Sequence, residues 1–239
     1  MSQLQHSSKA DGSGAMFDQI AGRYDRMNRI LSFGLDKGWR KRLMKRLEPL
    51  NPGDSVLDVA TGTGDVAIAI ARRFEGITVE GLDPSGGMLN VGHTKVEKSE
   101  LNPRVHFTLG DAQAMPYAED KFAGSCIAFG IRNVPNRLQG LREMARVVRP
   151  GGRIVVLELS TPRGGLLAPF ARFHVRHIVP FLGGLLSGSR EYRYLQKSID
   201  AFPTPDAFKE LMEEAGLSDI RVERLSFGSA HLYTGLVSK

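Results

Sequence analysis

The sequence predicts a doubly wound, Rossmann-like α/β fold, a mostly parallel seven-stranded sheet ending in an antiparallel C-terminal hairpin. Three observations carry this. Apolar runs alternate with amphipathic stretches from Val56 to Leu157, as strands buried on both faces and joined by helices require. The first run, Val56 to Val59, holds Asp58 and turns through Gly62 and Gly64, a glycine-rich strand-to-helix loop. Near the other end, the runs Ile220 to Phe227 and His231 to Val237 are joined only by Gly228, Ser229 and Ala230. That link is too short for a parallel crossover and demands a hairpin.

Each element has its own signal. Trp39, Leu43 and Leu47 recur every fourth residue in a basic segment, which reads as an amphipathic helix ending near Pro49. After the first strand, Val66 to Phe74 reads as a helix and Ile77 to Leu82 as the second strand, closed by Asp83. A helix from about Met88 to Glu97 leads to the strand Val105 to Leu109 and then Gly110-Asp111-Ala112. The strand Ser125 to Phe129 precedes a helix with Leu138, Leu141, Ala145 and Val148 on one face, stopped by Pro150-Gly151-Gly152. Ile154 to Leu157 is the fifth strand. Thr204 with Pro205 starts the last helix, whose stripe of Phe208, Leu211, Met212 and Ala215 ends at Gly216.

Residues 160–203 contain no strand of their own and are far longer than an ordinary connection, so they read as an apolar, partly helical insertion after the fifth strand. Such a flap would cap a substrate or rest on a membrane; an ordinary helical subdomain is the alternative. Residues 1–15 are polar and rich in Ser and Gly, the composition of a disordered tail, leaving 16–239 as one domain. No secretory signal or spanning helix is legible, and the single cysteine, Cys126, fits a reducing, cytoplasmic setting.

The glycine loop suggests its ligand. Gly62 and Gly64 would let a nucleotide-sized group touch backbone, and Asp83, roughly 20 residues further on, is placed to accept ribose hydroxyls. Asp58 and Asp65 make the loop acidic, which would repel a pyrophosphate and welcome a cation. S-adenosyl-L-methionine, with its sulfonium and ammonium, fits that field better than NAD. An NAD-linked oxidoreductase is the alternative from another enzyme class, and a non-catalytic lipid-surface module the alternative outside enzymology.

The formal charge of +6 comes from clusters at Arg40 to Arg46 and around Arg163 to Arg193. Without interleaved aromatic residues they do not make a nucleic-acid surface, and they read as a solvated helix face or a peripheral contact with an anionic membrane. No metal-ligand spacing is present, and nothing fixes the oligomeric state.

Several separated motifs resemble the C-methyltransferases of ubiquinone and menaquinone biosynthesis. Tyr24-Asp25-Arg26-Met27-Asn28 with Ser32 and Trp39 resembles the family's first signature, and Phe129-Gly130-Ile131-Arg132-Asn133-Val134 its motif after the fourth strand. Arg146 to Gly152 through Glu158-Leu159-Ser160 is similar to the second signature, and Tyr192-Arg193-Tyr194-Leu195 through Phe202-Pro203 to a late motif. The resemblance implies the S-adenosylmethionine-dependent methyltransferase fold and methylation of a polyprenylated quinol, demethylmenaquinol before a benzoquinol. It also implies that Thr63, Asp83, Asp111 and Ala112 touch the cofactor. Asp36 replaces the usual His, Ala128 a usual Ser and Arg149 a usual Lys.

Activating a ring carbon of a quinol calls for a base or an anion-stabilising donor, because the phenolic proton has a pKa near 10. Asp36, His174, His177, Tyr192, Tyr194, Asp200 and His231 are candidates, and no spacing selects among them. Arg132 and Asn133 follow the fourth strand on the ligand-binding edge of the sheet and are expected to face the methyl acceptor. Pairing of Arg132 with a nearby carboxylate is the alternative.

Overall fold

The computed structural model describes residues 17, 18, 21, 22, 25, 29, 32, 34–161 and 189–238. The elements run α1 (Leu35–Leu47), β1 (Ser55–Val59), α2 (Asp65–Arg73), β2 (Thr78–Asp83), α3 (Gly86–Lys98), β3 (Val105–Leu109) and β4 (Phe122–Ala128). There follow α4 (Arg137–Val147), β5 (Val148–Leu159), α5 (Ser189–Asp200), α6 (Pro205–Glu214), β6 (Leu217–Leu225) and β7 (Ala230–Val237). They build one seven-stranded sheet of order β3-β2-β1-β4-β5-β7-β6. The pairs among β1 to β5 are parallel, whereas β7 runs antiparallel to both β5 and β6, so the expected edge hairpin is present.

The order reverses between β1 and β4, which opens the crevice where such sheets take ligands. Two apolar layers sandwich the sheet. Leu43, Val56, Ile70, Val79 and Val155 pack on the side of α1 and α2, and Leu141, Met144, Val156, Phe208 and Tyr233 on the side of α4 and α6. α1 lays Trp39, Leu43 and Leu47 into the first layer, as their four-residue spacing requires. α6 is capped by the Thr204 hydroxyl, which accepts from the Ala207 N–H at 3.3 Å, with Pro205 opening the helix.

Several boundaries differ from the sequence reading. The strand expected from Ser125 starts at Phe122, and the one expected from Ile154 starts at Val148 and runs through the Pro150-Gly151-Gly152 stop signal. A register shift between Phe122 and Gly124 absorbs that kink, with Gly151 at φ 76. β6 begins at Leu217 rather than Ile220, and its own shift follows Asp219 at φ 45. The hairpin is closed by a single short turn, Ser226–Gly228, in which Ser226 and Phe227 are both left-handed. Residues 162–188, nearly all of the expected lid, lie outside the described residues, as do the tail 1–15, His174 and His177. Among the described residues, no helix is long and apolar enough to cross a membrane.

Candidate active site

The glycine loop joins the C-terminal end of β1 to α2 and is braced from below. Asp58 is buried, and its Oδ2 accepts from the Thr61 hydroxyl at 2.6 Å and from the Ala67 N–H at 3.1 Å. The Cys126 thiol approaches Oδ1 at 3.5 Å. Burial pushes the Asp58 carboxyl up to about 6 despite these donors. Gly64 stands at φ 77, and a Cβ there would lie 2.5 Å from the Phe107 ring of β3. Its missing side chain therefore makes room for an aromatic ring of the neighbouring strand, a reason for that glycine that the sequence does not show.

The loop's acidity is also corrected. Asp65 receives Arg40 Nη1 at 2.9 Å and Lys95 Nζ at 2.6 Å, and these two cations hold its carboxyl below the usual range although burial works the other way. Lys95 also pairs with Asp25 and donates to the Thr63 hydroxyl at 2.9 Å, while that hydroxyl donates to Asp25 Oδ1 at 2.6 Å. A cationic bridge thus ties the N-terminal segment, the loop and α3 together. The sequence argument missed it because Lys95 lies far from the loop in the chain.

Asp83 ends β2 beside this loop. Its Oδ2 accepts from the Gly62 N–H at 2.8 Å and its Oδ1 from the Ser85 N–H at 2.9 Å. Each carboxylate oxygen keeps a second lone pair for a hydroxyl. Burial, with the neighbouring Asp18 acting in the same direction, pushes Asp83 up to about 6. Asp18 itself accepts from the Gly87 N–H at 2.9 Å and bonds the Ser85 hydroxyl at the start of α3.

At the end of β3, Asp111 is exposed and accepts from the Gln113 backbone at 2.9 Å and side chain at 3.0 Å. Ala112 is partly buried next to it. Gly62, Thr63, Asp83, Asp111 and Ala112 therefore line one sheet edge at the ends of β1, β2 and β3, with the Asp83 carboxylate in the middle of the row and Asp111 at its β3 end. That spread suits an elongated nucleoside, and backbone N–H groups and carboxylates suit its ribose and base edge.

On the other side of β1, the segment after β4 carries Arg132 and Asn133 in a short 3-10 turn, Ile131–Asn133. Arg132 is buried and does form the ion pair named above as the alternative. Its Nη1 donates to Glu158 Oε1 at 2.7 Å and to the Phe129 carbonyl, its backbone N–H to Glu158 Oε2 at 3.2 Å, and its Nε to Ser198 at 3.3 Å. Glu158 is fully buried at the end of β5. The guanidinium thus fixes the loop to β5 and α5, a framework role that the sequence could offer only as an alternative. Asn133 is partly exposed and accepts from the Tyr194 hydroxyl at 3.2 Å.

Among the described residues, the candidate bases do not converge. Asp36 is buried, accepts from the Ser32 hydroxyl at 2.8 Å and lies 3.7 Å from Arg40. Asp200 accepts from Thr161 at 3.1 Å. Burial raises the Tyr194 phenol, which keeps it a donor at neutral pH. His231 lies 2.7 Å from the Ser160 hydroxyl, and burial together with Arg224 lowers its pKa. Because that hydroxyl donates to the Gly228 carbonyl at 2.8 Å, Nδ1 of His231 is assigned as the donor to it. Tyr192 is placed in α5 by its backbone.

Comparison with known proteins places this geometry. The model of the ubiE/COQ5 methyltransferase family matches residues 5–237. The ubiquinone/menaquinone biosynthesis C-methyltransferase of Geotalea daltonii is 44% identical over 221 residues, covering 92% of this chain and 94% of that protein. The demethylmenaquinone methyltransferase of Thermus thermophilus is 43% identical, over 92% of this chain and 99% of that protein. Among solved structures, a protein of Methanococcus maripaludis described as a putative S-adenosyl-L-methionine-dependent methyltransferase superposes with a TM-score of 0.68. It covers 93% of this chain and 94% of that one at 15% identity, a likeness of fold. With the family matched from one end of the sheet to the other, the NAD-linked alternative falls away, and the chain belongs to the ubiE/COQ5 methyltransferase family.

Proposed function

We propose that the chain transfers the methyl group of S-adenosyl-L-methionine to a ring carbon of a polyprenylated quinol, converting demethylmenaquinol to menaquinol. The observation that carries this reading is the family match over residues 5–237, reinforced by relatives whose names specify that chemistry. The Geotalea relative's name covers both quinone classes, so a benzoquinol is the second acceptor to test.

When bound, the cofactor supplies a methyl group on a positively charged sulfur, which a ring carbon can displace in line. In this reading Asp83 holds the ribose hydroxyls while its backbone donors keep it oriented, and Asp111 with the Ala112 N–H addresses the base edge. The Thr63 hydroxyl is already engaged by Asp25 and Lys95, so Thr63 serves the cofactor through its backbone. Asp58 acts one layer below, by fixing the loop. Asn133, whose amide N–H groups can donate and whose Oδ1 keeps a second lone pair, offers hydrogen bonds to a quinol hydroxyl while the Tyr194 hydroxyl that donates to it orients the amide, and Arg132 positions that loop through Glu158.

The test is methyl transfer by the purified protein from labelled S-adenosylmethionine to short-tailed demethylmenaquinol and, separately, to a benzoquinol. Labelled C-methylated naphthoquinol is expected. A protein that binds S-adenosylhomocysteine yet methylates neither quinol refutes the assignment.

A further inference from the structure

The rim of the candidate site carries an apolar and basic patch that the chemistry above does not use. Phe227 is 63% exposed and Leu35 48%. Both flank Trp39: Leu35 precedes it by one turn of α1, and Phe227 follows Ser226, whose hydroxyl accepts from Trp39 Nε1 at 2.9 Å. Trp39 in turn packs on Phe129, with ring centroids 6.2 Å apart, directly after β4. The patch therefore borders the acceptor side of the site.

Phe227 is held in place. Ser226 and Phe227 take φ of 43° and 59°, and the Arg224 guanidinium donates to the Phe227 carbonyl. A left-handed backbone holding an aromatic ring in water is costly on both counts, and a partner that buries the ring recovers the second.

Charge lies at the same end of α1, around the helix from the apolar pair. Lys37, Lys41 and Lys45 are exposed on the face of α1 opposite Trp39, Leu43 and Leu47, and none forms an ion pair among the described residues. Arg42 and Arg46, by contrast, are taken by Glu223. α1 runs from the site's edge to the opposite one, where Leu47 reaches Gly124 and the Arg46 carbonyl accepts from Arg153. Along its axis Lys37 stands ~3 Å, Lys41 ~9 Å and Lys45 ~15 Å past Leu35. With a screening length of ~8 Å, the first two dominate attraction at the rim.

We propose that this rim, Leu35 and Phe227 with Lys37 and Lys41 at the same end of α1, docks on an anionic lipid leaflet with the Phe227 ring inserted at the headgroup boundary. The inference rests on the proposed function in one respect, that the acceptor's polyprenyl chain is delivered from a bilayer. Lipid is favoured over a second copy because a two-fold contact on this patch would set the lysines of one copy against those of the other. An aromatic side chain beside unpaired lysines is the combination that interfacial binding uses.

The test is co-sedimentation of the full chain with phosphatidylglycerol/phosphatidylcholine vesicles and with phosphatidylcholine vesicles alone. Binding is expected to the anionic vesicles, to weaken with salt, and to fall about fivefold for each of Lys37→Gln and Lys41→Gln. Phe227→Asn, which tolerates the left-handed backbone, is expected to weaken binding about tenfold or more without lowering the melting temperature. Methylation of a tail-free naphthoquinol is expected to be unchanged in all three variants. Equal binding to neutral vesicles, or wild-type binding by the variants, overturns the proposal. Self-association abolished by Phe227→Asn with vesicle binding intact overturns it in favour of a second copy. Vesicle binding by a protein that methylates no quinol would refute the functional reading and leave the docking surface standing.

Discussion

Replacing Arg132 by Ala separates a framework role from a catalytic one. The change removes the guanidinium from a carboxylate that is fully buried, at an N···O distance of 2.7 Å. Breaking a buried pair by deleting one partner costs about 3–5 kcal/mol, because the surviving charge is left uncompensated. Here Glu158 keeps two backbone donors, the Leu159 N–H at 2.8 Å and the residue 132 N–H at 3.2 Å, so the lower end, about 3 kcal/mol, is expected. For a chain of this size that is a fall in melting temperature of about 6–12 °C. Glu158→Gln removes the stranded charge, so the double variant should recover part of the loss, with a coupling of about 1–3 kcal/mol in urea unfolding. The double variant also supplies a folded background in which to measure turnover. A loss below about 1 kcal/mol in Arg132→Ala, or strict additivity in the cycle, would refute the framework role.

Three further outcomes follow from the site. Asp83→Ala should weaken S-adenosylhomocysteine binding roughly 10- to 100-fold by calorimetry, the worth of hydrogen bonds to a charged acceptor, and unchanged affinity would exclude the ribose assignment. Asp83 is raised to about 6 by burial, and hydroxyl donors favour its ionised form, so affinity should rise as pH increases through about 6, with a proton released on binding near that pH. Asp58 titrates in the same range, so the dependence should flatten in Asp83→Asn if Asp83 causes it; an unaltered profile assigns it elsewhere. Gly64→Ala, at φ 77 and against the Phe107 ring, should destabilise the fold by about 1–3 kcal/mol, and pairing it with Phe107→Leu should restore part of that; full additivity would show that backbone conformation alone is at fault.

Much of the framework was legible because periodicity and turn chemistry are local. Strands alternating with amphipathic helices marked the parallel core, and a link too short for a crossover, residues 226–229 in the structure, forced the terminal hairpin. Boundaries slipped where pairing overrode local signals, as in β5, whose partner β4 carries it through a proline and two glycines. At the site, Asp83 and Asp111 could be placed by their position after a strand. The partners of Asp65 and Arg132 could not, because Lys95, Arg40 and Glu158 meet them only through tertiary packing. The packing reason for Gly64 was hidden in the same way: the ring that meets it sits in another strand.

Phe107 has a consequence for how this sequence can vary. A Cβ at Gly64, Gly81 or Gly92 would lie within 2.9 Å of its ring, so one aromatic side chain dictates the absence of three others on the glycine loop, β2 and α3. Enlarging any one of the three is tolerable only after the ring has shrunk. Shrinking the ring first leaves a void beside the cofactor loop, which costs stability until a larger neighbour fills it. Either order passes through a damaged intermediate, so these four positions are locked to one another, and drift in the ligand-binding loop is gated by a residue on the edge strand that has no part in the chemistry.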